Sequence, residues 1–435
     1  MAVQDPTTNG SKPIYGAYYP SWVADTVPPS KLNFSMYDVL FFAFATPSSA
    51  YGVSLDDGSA STLNSLVSAA RNGGHDTKVV LSIGGWGGCD HYSDAMKSSN
   101  RDSFVDAVVS AVKTYNLDGV DVDWEYPNDA GAGNGQGHSS EDAANLLSFF
   151  QALRKKLGNE AIISAAVTDQ PFKGPDGNPL SDVSEYAKVM SYVNLMNYDV
   201  YGSSSTPGPN APLGDLCGDS SQPESSAQAA LKQWTAANFP ANQLLLGMPL
   251  YGYVSKSSKQ TLQHRDADGA SSGKEYYREK VLAMAGRQYA VGDVARSVDE
   301  NRRFDTKFAD DQSVFVNGGL GRRVGKSQQV HGPTDAFSDL VSHGVLKQLG
   351  DRFVADNGYT EGWDNCSETP FVYDTSRETL VTYDNHTSLA LKTQCATNSG
   401  MGGVFTWSLD QDLDNTLQNA IRASLSLNTN GLLGR

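Results

Sequence analysis

The chain has 435 residues, 39% of them apolar and 19% charged, which is the make-up of a globular protein able to fill a large core. Its 33 basic and 49 acidic residues leave a formal net charge of −16, which argues against nucleic acid and against an anionic membrane surface as partners. No run of about 18 apolar residues exists to form a membrane-spanning helix.

Residues 1–12 (MAVQDPTTNGSK) are polar, lack the apolar stretch of a signal sequence and are expected as a disordered tail. Short β-rich apolar runs then predict strands at 14–20 (IYGAYYP), 38–45, 77–83, 118–126, 161–168, 192–199, 244–251 and 402–409. Helices are expected between them. In 100–115, Phe104, Val105, Val108, Val109 and Val112 recur at helical spacing. In 140–157, Leu146, Leu147, Phe150, Leu153 and Leu157 do the same, with Gly158 as the stop. Residues 225–237, 386–398 and 413–425 also read as helices. Alternating strands and helices imply a parallel sheet, and eight such strands predict an α/β fold of the (β/α)8 TIM-barrel type.

Residues 254–373, between the seventh and eighth strands, break the rhythm. They are polar, weakly periodic and too long for a loop, and are read as an inserted α+β subdomain. The barrel then comprises 13–253 and 374–425, with a tail at 426–435.

The run LDGVDVDWEYP, residues 117–127, places Asp118, Asp121, Asp123 and Glu125 within an otherwise apolar strand. Unpaired buried charges are costly, so the acids call for a reason. Alternation puts Asp121, Asp123 and Glu125 on one face, about 6–7 Å apart, and Val120, Val122 and Trp124 on the other. In a barrel the first face points inward, and Glu125 lies nearest the C-terminal rim where barrel enzymes carry their chemistry. Crowded carboxylates cannot all ionise, which can keep a proton on Glu125, as a general acid requires. A calcium loop would carry polar residues and a Gly where this run has Val and Trp, so neither a metal nor a cofactor is expected.

DxxDxDxE, spanning Asp118 to Glu125, resembles the fourth-strand signature of the glycoside hydrolase family 18 chitinases. Further matches fall in order at strand ends: AYYPSW (Ala17–Trp22), FAFA (Phe42–Ala45), SIGGW (Ser82–Trp86), MNYD (Met196–Asp199), GMPLYG (Gly247–Gly252) and GGVFTWSLD (Gly402–Asp410). The resemblance spans about residues 13–425, and the insertion before the eighth strand is similar to that of the deep-groove subfamily. Its tail, GWDNCSETPFVYD, has a fungal look.

The resemblance implies hydrolysis of β-1,4-linked N-acetylglucosamine in chitin, with retention, through the substrate's own acetamido group. Glu125 would be the acid and then the base, Asp123 would hold the acetamido N–H, Asp121 would tune Asp123, and Tyr198 would donate to the acetamido group. Asp118 would be structural support. Trp407 would form the floor beneath the cleaved sugar, with Trp86 and Trp22 as platforms, since sugar rings stack on aromatic faces. Asp199, Met196, Tyr251, Tyr18 and Phe44 would line the site, with core packing the other reading of Met196, Tyr18 and Phe44. Ser82 would bond the Asp121 side, and Ala165 and Ala166 would leave room beside the acids. Many relatives carry an Arg after PLYG that meets the strand-six Asp; this chain has Tyr253, which leaves the partner of Asp199 open.

The expected partner is therefore chitin or a chito-oligosaccharide, with no nucleic acid and no membrane, and the protein is expected to be a secreted monomer. A non-catalytic sugar-binding lectin and an endo-β-N-acetylglucosaminidase are the competing readings. Cys89, Cys217, Cys366 and Cys395 are either buried thiols or two disulfides. A Cys89–Cys217 bridge on the rim is the candidate pairing, leaving Cys366 with Cys395. Glycosylation sequons stand at Asn33, Asn365 and Asn385.

Overall fold

The computed structural model describes residues 12–131, 136–262, 334–350 and 352–430. Parallel strands Ile14–Pro20, Val39–Pro47, Lys78–Gly84, Gly119–Asp123, Ile162–Val167, Tyr192–Leu195, Leu244–Pro249 and Gly403–Trp407 form the barrel. The first strand closes the ring by pairing with both the second and the eighth, as in Gly16 opposite Val39 and Ile14 opposite Gly403. A short antiparallel strand, Val53–Leu55, is added to the second. The (β/α)8 expectation is thereby met.

Strand alternation divides the core in two. Val120, Val122 and Trp124 face outward into a large layer shared with the helices. Tyr18, Phe41, Val80, Tyr192, Leu245 and Phe405 fill the barrel interior. Helix Arg101–Thr114 buries Phe104, Val105, Val108, Val109 and Val112 in the outer layer. Helix Asp142–Leu157 adds Leu146, Phe149, Phe150 and Leu153, and Gly158 ends it with a φ of 82° that only a residue without Cβ adopts freely. Phe104 stacks on Phe149 at 5.1 Å between ring centres, which joins the two helices.

Two strands end three or four residues short of the expectation. The fourth ends at Asp123, not 126, and the sixth at Leu195, not 199. The ladder stops where Gly84, Asp123 and Ala166 lie side by side. Beyond that level the chain leaves the sheet, and Glu125 and Tyr198 stand on rim turns. Helix Ser59–Asn72 is absent from the sequence expectation, because only Leu63, Leu66 and Val67 mark its buried face with large side chains. The last helix runs Thr416–Asn430, so the first half of the expected 426–435 tail is helical, and 431–435 lies outside the described residues. All of the expected 1–12 tail except Lys12 also lies outside them.

The insertion follows directly from the seventh strand. Its described part holds an antiparallel five-stranded sheet in the order Thr334–Ala336, Tyr251–Lys256, Thr379–Thr382, Thr369–Asp374, Thr360–Asp364. A helix, Phe337–Ser342, and a hairpin, Leu346–Leu349 with Arg352–Ala355, accompany it. The sheet thus starts at Tyr251 and ends at Thr382, a few residues outside 254–373, while residues 263–333 lie beyond the described residues.

The cysteine pairing differs from the expectation. Cys217 is bonded to Cys366, and Cys89 and Cys395 are free. Cys217 lies on the loop after the sixth strand, where Leu213 and Leu216 donate their N–H groups to the carbonyls of Ser367 and Cys366. Those bonds bring the loop onto the turn of the insertion. Cys89 cannot reach that turn, because it is buried under the end of the fourth strand.

Candidate active site

Asp121, Asp123 and Glu125 lie one above another, from the middle of the barrel to its rim, and their surroundings differ. Asp121 is fully buried and surrounded by donors. Tyr18 Oη (2.9 Å) and Ser82 Oγ (2.7 Å) donate to one carboxylate oxygen. Ser164 Oγ (2.7 Å) and Asn194 Nδ2 (3.4 Å) donate to the other. Burial raises its pKa, and the hydroxyl donors pull it back.

Asp123 sits above it with Oδ1 buried and without a hydrogen-bond partner. Burial, and then the charges of Glu125 and Asp121, push its pKa well above the carboxylate range. An unpartnered buried carboxylate oxygen is costly and is a ready acceptor for an incoming N–H.

Glu125 is half-buried on the turn beyond the strand. Burial raises its pKa to about 7, with a hydrogen bond from Tyr126 opposing and the charge of Asp199 assisting. The column thus runs from a fully bonded carboxylate, through an unpartnered one, to one that holds its proton into the neutral range.

Tyr198 lies across the mouth, edge-on to Tyr251 (6.2 Å) and Phe405 (6.4 Å). It has room because residue 247 is glycine: a Cβ there would come within 2.8 Å of the Tyr198 ring and 2.5 Å of the Leu195 carbonyl. Burial raises the Tyr198 pKa, which keeps its hydroxyl a donor. Asp199 follows in left-handed backbone, φ 60°, with its N–H donated to Asn210 Oδ1 at 2.9 Å. Tyr251 and Tyr253 both donate to Asp199 Oδ1, the latter at 2.7 Å.

An aromatic ridge leads from these groups to solvent. Tyr18 meets Trp407 edge-on at 5.4 Å, Phe44 stacks on Trp407 at 5.6 Å, and Trp22 lies 6.3 Å from Phe44. Trp22 is 60% exposed and Trp86 46%, unusual for tryptophan, whose indole is normally well covered. Gly85, at φ 82°, lets Phe44 pack against its backbone; a Cβ would lie 2.8 Å from the ring. Met196 is half-buried against the interior cluster.

All twelve residues singled out for the site therefore sit along one face of the barrel's C-terminal end or directly beneath it: Glu125, Asp123, Asp121, Tyr198, Trp407, Trp86, Trp22, Met196, Asp199, Tyr251, Tyr18 and Phe44. Tyr18 and Tyr251 are buried, and their hydroxyls are engaged with Asp121 and Asp199, so they brace carboxylates. Asp118 is ion-paired with Arg71 at 2.7 Å and accepts the Val79 N–H at 2.7 Å, at the opposite end of the strand. Ala165 belongs to the outer layer, packed toward the helices, so only Ala166 opens space inside. Ser164 and Asn194 join the site although the sequence reading does not single them out, and Tyr253, noted there only as standing where relatives carry an Arg, supplies a donor to Asp199. Each of the first two is a polar residue inside an otherwise apolar stretch of its strand, Ser164 in IISAAV and Asn194 in YVNL.

The Glycosyl hydrolases family 18 model matches residues 15–412. A chitinase-like effector of Moniliophthora roreri is 33% identical over 416 residues, covering 95% of this chain and 93% of its own length. Chitinase A1 of Niallia circulans is 25% identical over 363 residues, covering 80% of this chain and 42% of its own. The crystal structure of a chitinase from Rhizomucor miehei superimposes with a TM-score of 0.71 at 29% identity, covering 94% of this chain and 99% of that one. With nearly its whole length matched by the family model, this chain belongs to the glycosyl hydrolases of family 18.

Proposed function

We propose that this protein hydrolyses the β-1,4 linkages of chitin and chito-oligosaccharides with retention of configuration, using the substrate's 2-acetamido group as nucleophile. The reading rests above all on Asp123, a buried carboxylate with an unpartnered oxygen set between a fully bonded Asp121 and a Glu125 that keeps its proton to about pH 7. That oxygen is the acceptor for the acetamido N–H, which turns the acetamido oxygen toward the anomeric carbon. The Tyr198 hydroxyl donates to the same group.

Glu125 gives its proton to the glycosidic oxygen as the C–O bond breaks and the acetamido oxygen bonds to the anomeric carbon, forming an oxazolinium ion. Asp123 and Asp121 stabilise that cation, because a positive charge developing beside the buried pair favours its ionised form. Water then attacks the anomeric carbon, Glu125 takes its proton, and the acetamido group is restored. The scheme asks for neither metal nor cofactor, so activity is expected to survive a chelator. Trp407 supports the cleaved sugar, and Trp22 and Trp86 are platforms along the chain.

Binding without cleavage is a second reading, favoured by the name of the effector relatives from Moniliophthora roreri and Moniliophthora perniciosa. The joint presence of Glu125, Asp123 and Tyr198 favours cleavage. Release of N-acetyl-chito-oligosaccharides by the wild type and by Glu125→Gln decides between them. Loss of the general acid lowers the rate by about 10²–10⁴-fold while oligosaccharide binding persists. Equal rates would remove Glu125 from its role, and binding without release by the wild type would establish the second reading. The Cys217–Cys366 disulfide supports a secreted protein, since such bonds persist in oxidising compartments. Among the described residues no helix is long and apolar enough to cross a membrane. We take the working form to be a monomer.

A further inference from the structure

We infer that the short segment Cys89–Ser93, on the loop after the third strand, is a clamp that positions the Glu125 turn. This rests on the reading of Glu125 as the acid. Glu125 stands beyond the last ladder pair, Gly84 with Asp123, so its backbone N–H has no strand partner. That N–H donates instead to Cys89 Sγ at 3.4 Å. The thiol is fully buried, and its own S–H has the carbonyls of Asp123 (3.3 Å) and Gly85 (3.4 Å) in reach. One side chain therefore touches the backbone on both sides of Trp124.

Two further contacts from the same segment hold the residues around Glu125. The Tyr92 ring stacks on Trp124 at 5.2 Å and 21°, and its hydroxyl is anchored on the Ile83 carbonyl at 2.6 Å. Ser93 Oγ donates to the buried Asp142 at 2.7 Å. The second oxygen of Asp142 accepts the N–H groups of Asn128 (3.1 Å) and Ser139 (2.8 Å). The turn that carries Glu125 is thus held at Trp124 by Tyr92, at Glu125 itself by Cys89 and, through Asp142, at Asn128 by Ser93. The return of the loop leaves no slack: a Cβ on Gly131 would lie 2.2 Å from the Glu125 carbonyl. Plain core filling would account for a buried Cys89 and Tyr92, but not for a thiol that accepts the Glu125 N–H beside a hydroxyl that holds the carboxylate capping Asn128.

The test uses Cys89→Ala, Cys89→Ser and Asp142→Ala in the full chain, with Glu125→Gln as reference. One readout is amide hydrogen exchange of the peptide covering 124–128, which needs no activity. The other is kcat and KM on a soluble chito-oligosaccharide. Cys89→Ala and Asp142→Ala should speed exchange in that peptide. They should lower kcat by about tenfold with KM within about twofold, because small displacements of a catalytic group are costly. Cys89→Ser keeps an acceptor for the Glu125 N–H and should recover most of both. Unchanged exchange and kcat in Cys89→Ala, or a serine variant as impaired as the alanine one, would overturn the clamp and leave Cys89 as packing. A wild type without hydrolysis would instead defeat the chitinase reading, and the exchange data would still judge the clamp.

Discussion

The hydroxyl of Tyr253 donates to Asp199 Oδ1 at 2.7 Å, alongside that of Tyr251. Tyr253 stands in the first strand of the inserted sheet, and Asp199 on the turn after the sixth barrel strand. The insertion is therefore joined to the mouth of the site through a phenol, which supplies the partner of Asp199 that the family resemblance leaves open. Two hydroxyl donors on one carboxylate oxygen fix its orientation.

Replacing Tyr253 by Phe keeps the ring and removes one donor. A single hydrogen bond contributes about 1 kcal/mol, so kcat/KM on chito-oligosaccharides should fall roughly fivefold. Steady-state kinetics of the purified variant provide the check. Wild-type kinetics in Tyr253→Phe would detach this contact from turnover.

The alkaline side of the pH–rate profile should belong to Glu125. It works as an acid only while protonated, and burial holds its proton up to about pH 7. The rate of glycosidic cleavage should therefore fall as pH rises through about 7. Asp199 repels the ionised form of Glu125 and so raises its pKa. Asp199→Asn should move that limb to lower pH, by about half a unit. A limb that stays in place would mean that the Asp199 charge does not reach Glu125.

Asp123→Asn should trade activity for stability. Its pKa is raised in the folded protein, so the ionised form is destabilised by folding. The penalty is absent below the unfolded carboxylate pKa of about 4 and grows as pH rises above it. Thermal melting of Asp123→Asn should exceed wild type by roughly 2 °C at pH 8 and match it near pH 4. Turnover should drop by about 10²-fold, from loss of a carboxyl that can ionise beside the oxazolinium ion. A variant less stable than wild type at pH 8 contradicts the buried-charge account.

Thiol titration of the unfolded, unreduced protein should count two thiols, Cys89 and Cys395. Four would reject the Cys217–Cys366 bond. Cys217→Ser should lose about 2–4 kcal/mol of stability, since the bond closes a long loop between the barrel and the insertion.

Much of the site is legible in the residue order because it hangs on period-2 alternation. LDGVDVDWEYP shows by itself that Asp121, Asp123 and Glu125 share a face opposite Val120, Val122 and Trp124, and the structure places them so. Alternation cannot show where a strand stops. The fourth strand ends at Asp123, and the freedom of Glu125 from the ladder follows from that end. Nor can it show which distant side chains converge: Ser82, Ser164, Asn194 and Tyr18 reach Asp121 from four different strands, and only the barrel's register brings them together.

The sequence alone determined the barrel, the order of its strands, the acidic column and the aromatic residues at the strand ends, because each is a local pattern repeated along the chain. Tertiary structure decided what depends on contacts between remote segments. It paired Cys217 with Cys366 across 149 residues, gave Asp199 its two tyrosines, and buried Cys89 against the Glu125 amide. Those contacts leave no periodic trace, since each is made by one residue meeting one other only after the loops have folded onto the rim.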